Sequence, residues 1–371
     1  MPLPTIDPAA YAAQLSAKTE RFREAFAPFG LPEPEVFASE PLYYRQRAEF
    51  RIWHEGERLD YVMFDPARPK EPVVIDTFPA AARPISDAMP KLRDALQADT
   101  SLRHRLFQVE FLATMSGELL VSLVYHRALD ERWEAAARAL AASLELLVIG
   151  RSRKQKIVLD RDWVLESFDL DGRTLRYQQI EGSFTQPNGG VNRQMLGWAC
   201  RQAASPGGAR GDLLELYCGN GNFTVALAPH FERVLATEVS KSSVRAAHYN
   251  LAANAIDNVQ MVRMASDEIA GALARTRAYR RMKDTDLDRY RFTTLFVDPP
   301  RSGLDAPTVE LARGFERILY ISCNPETLHA NVAALSPTHA IAAAAAFDQF
   351  PYTGHLECGV LLVRRPGSAT T

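Results

Sequence analysis

Cysteine is scarce in this sequence. Four of 371 residues are cysteines (Cys200, Cys218, Cys323 and Cys358), none lies before position 200, and no two form a C-x-x-C pair. That spacing excludes a disulfide framework and a four-cysteine iron–sulfur cluster in the first half, and it argues against a cysteine-held zinc. No metal and no iron–sulfur cluster is therefore expected, and free thiols point to a reducing, cytoplasmic setting. Long apolar runs are missing too. The longest candidate, the alanine-rich stretch Ile341–Phe347, falls far short of the ~20 residues a membrane span needs. The opening MPLPTIDPAAYAAQL lacks a basic segment followed by an apolar one, so no secretory signal is expected. Neither charge is in excess: 43 Lys and Arg stand against 45 Asp and Glu, for a net charge of −2. Any nucleic-acid partner would have to be held by local basic clusters. What is present, 47% hydrophobic with 24% charged residues, is the composition of a globular protein and excludes disorder of the whole chain.

At 371 residues two domains are the default, since domains usually run ~100–200 residues. The pattern changes near position 182. Before it, Tyr11–Phe29 has the spacing of an amphipathic helix that stops at Pro28, and Tyr43–His54 (YYRQRAEFRIWH) alternates basic and apolar residues like a half-exposed strand. Phe107–Thr114 and Glu118–His126 read as a hairpin around Ser116-Gly117, Asp130–Leu144 as a helix and Leu146–Gly150 as a buried strand. Residues 1–182 are expected to form an antiparallel α+β domain. Residues 183–371 alternate strands with helices, the strands being Asp212–Tyr217, Val234–Thr237, Val259–Met264, Thr294–Val297, Ile318–Ser322 and a late Gly359–Val363. That alternation predicts βαβ units in a mostly parallel, doubly wound α/β sheet. The charge-rich stretch Arg275–Arg291 reads as a solvated helix or loop.

The first of these strands runs into Glu215-Leu-Tyr-Cys-Gly219-Asn-Gly221. Ligands of open α/β sheets sit at such strand ends, and glycines there admit close backbone approach. A dinucleotide fold wants a third glycine, where this chain has Thr224. The loop suits a cofactor that needs close approach but no phosphate cradle, such as S-adenosylmethionine. Glu238 ends the next strand, where an acid commonly accepts from both ribose hydroxyls. Asp267 reads equally as an adenine contact or as a helix cap.

Two further strand ends carry chemistry. One is Asp298-Pro-Pro-Arg-Ser-Gly-Leu304, whose prolines fix a rigid backbone. The other is Ser322-Cys323-Asn324-Pro325, where a cysteine at a strand terminus facing the crevice is placed as a nucleophile. The segment FDQFPYTGHLE brings His355 and Glu357 to the start of the last strand, with Glu357 a candidate general base. Arg45, Arg47 and Arg51 alternate with the aromatics Tyr43, Phe50 and Trp53, and Arg151–Lys156 is the densest basic run. A charge run is more often a solvated face, but interleaved aromatics favour splayed RNA bases for the Arg45–Trp53 strand.

LLELYCGNGNF, FVDPPRSGLD, ISCNPETL and FDQFPYTGHLECGVLL together resemble the RNA uracil-5-methyltransferases. YYRQRAEFRIWH and EGSFTQPN, and the lack of an early cysteine cluster, resemble the transfer-RNA branch, which methylates uridine 54 of the T-loop. The resemblance implies a Rossmann-like class I methyltransferase domain over residues 183–371 and an N-terminal RNA-binding α+β region over 1–182. It implies a cysteine nucleophile at Cys323, a glutamate base at Glu357, and S-adenosylmethionine held by Gln186, Tyr217, Asn222, Glu238 and Asp298 with Gly219 and Gly221. The expected partner is the tRNA T-arm, with the similar arm of transfer-messenger RNA a further candidate. RNA contacts are expected from Arg45, Arg47, Phe50, Arg51 and Trp53; no membrane and no obligate protein partner is expected. Three rivals stay open: a ribosomal-RNA uracil-5-methyltransferase, an RNA cytosine-5-methyltransferase, and an RNA-binding or folding protein with incidental methylation.

Overall fold

The computed structural model describes residues 6–204, 211–276 and 279–367. The opening pentapeptide, on which the leader expectation partly rests, and two residues of the 275–291 stretch lie outside the described residues. The chain starts with a helix, Tyr11–Phe26, which tightens into a 3₁₀ turn at Ala27–Phe29 around Pro28. Strand β1 (Glu35–Phe37) follows. Seven strands then build one sheet: β2 (Arg47–Glu55), β3 (Arg58–Asp65), β4 (Arg68–Val74), β5 (Leu106–Ala113), β6 (Leu119–Tyr125), β7 (Leu147–Ser152) and β8 (Gln155–Val158), in the order β4-β3-β2-β5-β6-β7-β8. All neighbours are antiparallel except β6 and β7, which are parallel because the helix Glu131–Leu144 carries the chain across between them. Trp133 of that helix packs so tightly on β7 that a Cβ at Gly150 would meet its ring at 2.1 Å. Along β2, buried Ala48, Phe50 and Ile52 alternate with exposed Glu49, Arg51 and Trp53. One face of the sheet is thus covered by helices; the other is open along β2, while Leu112, Leu120 and Ile149 on it are covered by Val164 of the segment that follows.

A hairpin of β9 (Trp163–Leu170) and β10 (Arg173–Ile180) leads to the second sheet. The hairpin is a two-stranded sheet of its own; besides β1, the second large sheet holds β11 (Asp212–Leu216), β12 (Val234–Thr237), β13 (Val259–Val262), β14 (Phe292–Val297), β15 (Arg317–Ser322), β16 (His339–Phe347) and β17 (Glu357–Arg364). The order is β1-β16-β17-β15-β14-β11-β12-β13. β17 runs antiparallel to both its neighbours, and the other pairs are parallel. The apolar runs DLLEL and VLAT are buried along their whole length, as strands covered on both faces must be. This is the mostly parallel, doubly wound arrangement expected from the alternation. The alanine-rich stretch is strand β16, and it was the small side chains that hid it, since alanine carries no β pattern.

Packing does not follow the 182/183 line. Phe22 and Phe26 of the first helix share a core with Leu214, Leu235 and Tyr320, and β1 extends the second sheet. The β9–β10 hairpin packs Phe168, Leu175 and Tyr177 on Met195, Leu196 and Trp198. Both segments therefore belong with the second half, because periodicity reveals an element's type but not which core it joins. The two sheets are joined through Gln46, whose Nε2 donates to buried Glu166 at 2.9 Å and whose backbone N–H donates to the Pro187 carbonyl at 2.7 Å.

Candidate active site

A cavity of about 800 Å³ opens at the carboxyl ends of the parallel strands, at the upper end of ligand-pocket volumes of ~300–1,000 Å³. Four carboxyl groups line it (Glu215, Glu238, Asp298 and Glu357), and Arg301 is the sole lysine or arginine among its lining residues. Such a wall repels a pyrophosphate and suits a cation, so the residues present fit S-adenosylmethionine and its sulfonium better than a dinucleotide.

The loop after β11 forms one wall. Tyr217, Gly219 and Gly221 all have positive φ, at 60°, 57° and 81°. A non-glycine residue is strained there, and such strain gathers at functional sites; Tyr217 is held in it by a 2.7 Å hydrogen bond from its hydroxyl to Ser266 Oγ. A Cβ at Gly219 would face open space, whereas Gly221 starts the helix Asn222–Leu227 and a Cβ there would lie 3.5 Å from Ala247. Gly221 therefore shapes the turn and does not itself line the cavity. The Glu238 carboxylate accepts from the N–H groups of Gly219 (3.0 Å), Val239 (2.8 Å) and Ser240 (2.7 Å), which lock it at the end of β12. Asn222 exchanges amide hydrogen bonds with Asn192 at 3.0 and 2.8 Å. Gln186 reaches in from the opposite rim, braced by Gln349 Nε2 at 3.0 Å. Asp267 lies in the first turn of the helix Ser266–Leu273 and is not a lining residue.

The floor is made by β14, β15 and β17. The last register pair of β15 and β17 is Ser322 with Cys358, so Cys323 and Glu357 stand opposite each other one step beyond it, both in the cavity wall. Their closeness follows from β17 being antiparallel, which brings its first residue to the edge where its neighbour ends. The turn after Cys323 is fastened to the Asp298–Gly303 loop: Asn324 Nδ2 and Thr327 Oγ1 donate to the Arg301 carbonyl at 3.0 and 3.3 Å. Arg301 Nη2 donates to His355 Nδ1 at 3.4 Å. Burial, with the Asp298 carboxyl beside it, holds Glu357 well above the ordinary carboxylate range. Burial, then Glu357 and Asp298, push the Cys323 thiol up to about 11, against a downward pull from Arg301. Without ligands the Cys323 thiol is thus protonated at neutral pH and Glu357 is shifted toward its protonated form, and a cation entering the cavity favours the charged forms of both. Among the described residues no group of three or more His, Cys, Asp or Glu could hold a metal ion.

The strand expected to meet RNA divides. Phe50 is 1% exposed and packs against Tyr61, Phe78 and Phe111. It is a core residue and not a base-stacking platform, because the strand's alternation turns it inward. Arg45 is half-buried, with Nε donating to the Arg47 carbonyl at 2.8 Å. Arg47 Nη1 donates to the Ser183 carbonyl at 2.6 Å, tying the two halves at the cavity rim. Arg51 and Trp53 remain on the open face. Sequence reasoning missed their neighbours: the Arg51 guanidinium lies 3.9 Å over Phe107, which stacks on His126 at 3.9 Å. The signal available was an aromatic at the start of β5, half-buried in the structure, and a histidine just past β6, across from it. Of the Arg151–Lys156 run, Arg151 and Lys156 are ion-paired to buried Glu181, which leaves Arg153 and Lys154 exposed.

A family model described as tRNA (Uracil-5-)-methyltransferase matches residues 10–365. The chain belongs to that family. A relative from Aromatoleum aromaticum, named tRNA/tmRNA (uracil-C(5))-methyltransferase, is 74% identical over 99% of both chains. One of the same name from Dechloromonas aromatica is 67% identical over 98% of this chain and all of its own. Among solved structures, the Pyrococcus abyssi tRNA (uracil-54, C5)-methyltransferase in complex with S-adenosyl-L-homocysteine superimposes with a TM-score of 0.70 at 20% identity, covering 95% of this chain and 83% of that one. At that identity the likeness establishes the fold. Family membership makes this protein an S-adenosylmethionine-dependent tRNA uracil-5-methyltransferase. Among the described residues no helix is long and apolar enough to cross a membrane.

Proposed function

We propose that this methyltransferase acts in the cytoplasm on carbon 5 of uridine 54 in the tRNA T-loop, through a covalent bond between Cys323 and the base. The T-loop-like arm of transfer-messenger RNA is a second substrate, in keeping with the relatives' name. The observation that carries the reading is the β15–β17 register, which sets a thiol and a carboxyl opposite each other in one wall. Carbon 5 of uracil is a poor nucleophile. Addition of the Cys323 thiolate at carbon 6 moves the ring's π electrons toward carbon 5 and oxygen 4, which makes carbon 5 reactive. S-adenosylmethionine, when bound, supplies an electrophilic methyl group. The Glu357 carboxylate then removes the carbon 5 proton, the carbon 6–sulfur bond breaks, and the thiolate is restored. Tyr217, Gly219, Asn222, Glu238 and Asp298 hold the cofactor, with Gln186 on the facing rim. The target base must leave its stack to reach this wall.

The open face of the seven-stranded sheet is the RNA-binding surface in this reading, and the eight-stranded sheet is the catalytic unit. Incubating the protein with methyl-labelled cofactor and total RNA, then mapping the label, tests the proposal. It is expected at uridine 54 of tRNA; label confined to ribosomal RNA or to cytosine would overturn the reading. Arg51→Ala and Phe107→Ala should each weaken tRNA binding, by about 1–3 kcal/mol for the stacking residue. Arg51→Ala should also lower the salt slope of binding by roughly one. Cofactor affinity should not change in either variant, as isothermal titration would show.

A further inference from the structure

We propose that a basic and aromatic stripe on the helix Lys241–Ala253 binds the tRNA backbone that flanks the target base where it passes the cavity mouth; this rests on the tRNA reading above. Lys241, Arg245, His248 and Tyr249 are all exposed, and their spacing puts them on one helix face. Among the described residues no ion pair neutralises Lys241 or Arg245. Two cations one turn apart repel each other, so the stripe gains nothing from being basic until an anion lies on it. Tyr249 is 41% exposed and its ring sits 6.0 Å from Trp163, over which Arg161 lies at 4.3 Å. The helix is thereby extended by an arginine–tryptophan–tyrosine ladder on β9.

Position adds to composition. Ser240, Ser242 and Ser243 line the cavity mouth, and exposed Val239 stands on its rim. From there the stripe runs away from the cavity for about 12 Å at ~1.5 Å per residue. The facing rim, Ser183 and Phe184, is tied through Arg47 to the seven-stranded sheet, on whose open face Arg51, Phe107 and His126 are stacked. An RNA loop that lies on that sheet and sends one base into the cavity must carry its flanking backbone past the mouth. The stripe is where a strand crossing the Val239 rim continues. Lysine and arginine for phosphates, with an exposed tyrosine for a base or sugar, are what such a strand recognises.

The experiment compares intact tRNA with an isolated T-arm hairpin, using the double variant Lys241→Glu/Arg245→Glu. Both residues are solvent-exposed and lie outside the catalytic and cofactor-holding set. With intact tRNA, KM should rise roughly tenfold and the salt slope of binding should fall by about two. With the hairpin, which carries the same flanking backbone, KM and salt slope should shift by the same factors, while cofactor affinity and Tm should match wild type. The milder Lys241→Gln/Arg245→Gln should show the same slope change with a smaller rise in KM. Wild-type behaviour of the variants on intact tRNA would overturn the inference, while methylation of the hairpin would leave the tRNA reading standing. A loss on intact tRNA with none on the hairpin would overturn it too, by assigning the stripe to backbone outside the T-arm. If the wild-type protein methylates neither RNA, the tRNA reading fails and takes the inference with it.

Discussion

Cys323→Ala is expected to lower methyl transfer by at least ~10⁴-fold while cofactor affinity stays at the wild-type value. The thiol is partly exposed and lies at a strand end, so its removal leaves no buried void. Folding should be unaffected, and Tm should show this. Cofactor affinity is a separate matter because the loop after β11 and the locked Glu238 carboxylate lie on the neighbouring strands β11 and β12. Cys200→Ala is the matched control: that thiol is buried and donates to the Ala226 carbonyl at 3.5 Å, away from the cavity wall. Single-turnover assays with labelled cofactor make the comparison. Appreciable turnover by Cys323→Ala would remove it from the nucleophile role.

Glu357→Gln should do something different, and as large. The thiolate and the cofactor site remain, so addition and methylation proceed, but the carbon 5 proton has no acceptor. A protein–RNA adduct carrying the labelled methyl group should accumulate with natural tRNA and survive denaturing electrophoresis. The wild-type enzyme should give the same adduct with tRNA carrying 5-fluorouridine at the target, since fluorine cannot leave as a cation. Turnover should fall by roughly 10²–10⁴-fold, the usual contribution of a general base. The pH profile carries the sign. Burial raises Cys323 to about 11 and raises Glu357 in the same direction, so in the free enzyme both hold their protons to higher pH than usual. Both must lose them to act, and kcat/KM reports the free enzyme. It should therefore climb with pH through neutrality and keep climbing into the alkaline range. A kcat/KM that falls between pH 7 and 9, or a wild-type enzyme that methylates tRNA yet forms no adduct with the fluorinated RNA, would sink the Cys323–Glu357 assignment.

Some of this architecture was readable in the chain and some was not, for identifiable reasons. The strands β11, β14 and β15 are short apolar runs, each followed by a glycine- or proline-marked turn, and β12 is an apolar run ended by an acid and a serine-capped helix, so local residue choice alone marks them. β16 is nearly all alanine and has no such mark. Tyr217, Glu238, Asp298 and Cys323 could be placed together because a doubly wound sheet gathers strand ends at one edge whatever the loops between them. Phe50 could not be placed correctly by composition, since arginines on both sides of it say nothing of which face turns inward. Phe107 and His126 lie 19 positions apart in sequence and meet only through the pairing of β5 with β6.

What the sequence determined by itself is the chemistry available: one cysteine at a strand end, acids at two strand ends and at the start of the last strand, a glycine loop without a phosphate cradle, and no metal-binding cysteine pattern. What only the tertiary structure decided is which of those groups meet. The antiparallel insertion of β17 between β15 and β16 brings Glu357 to Cys323 across 34 positions of chain. The burial of that wall then raises the pKa of both groups together, making both weaker acids. Register and burial arise from the packing of distant segments on one core, and no local stretch of residues carries them.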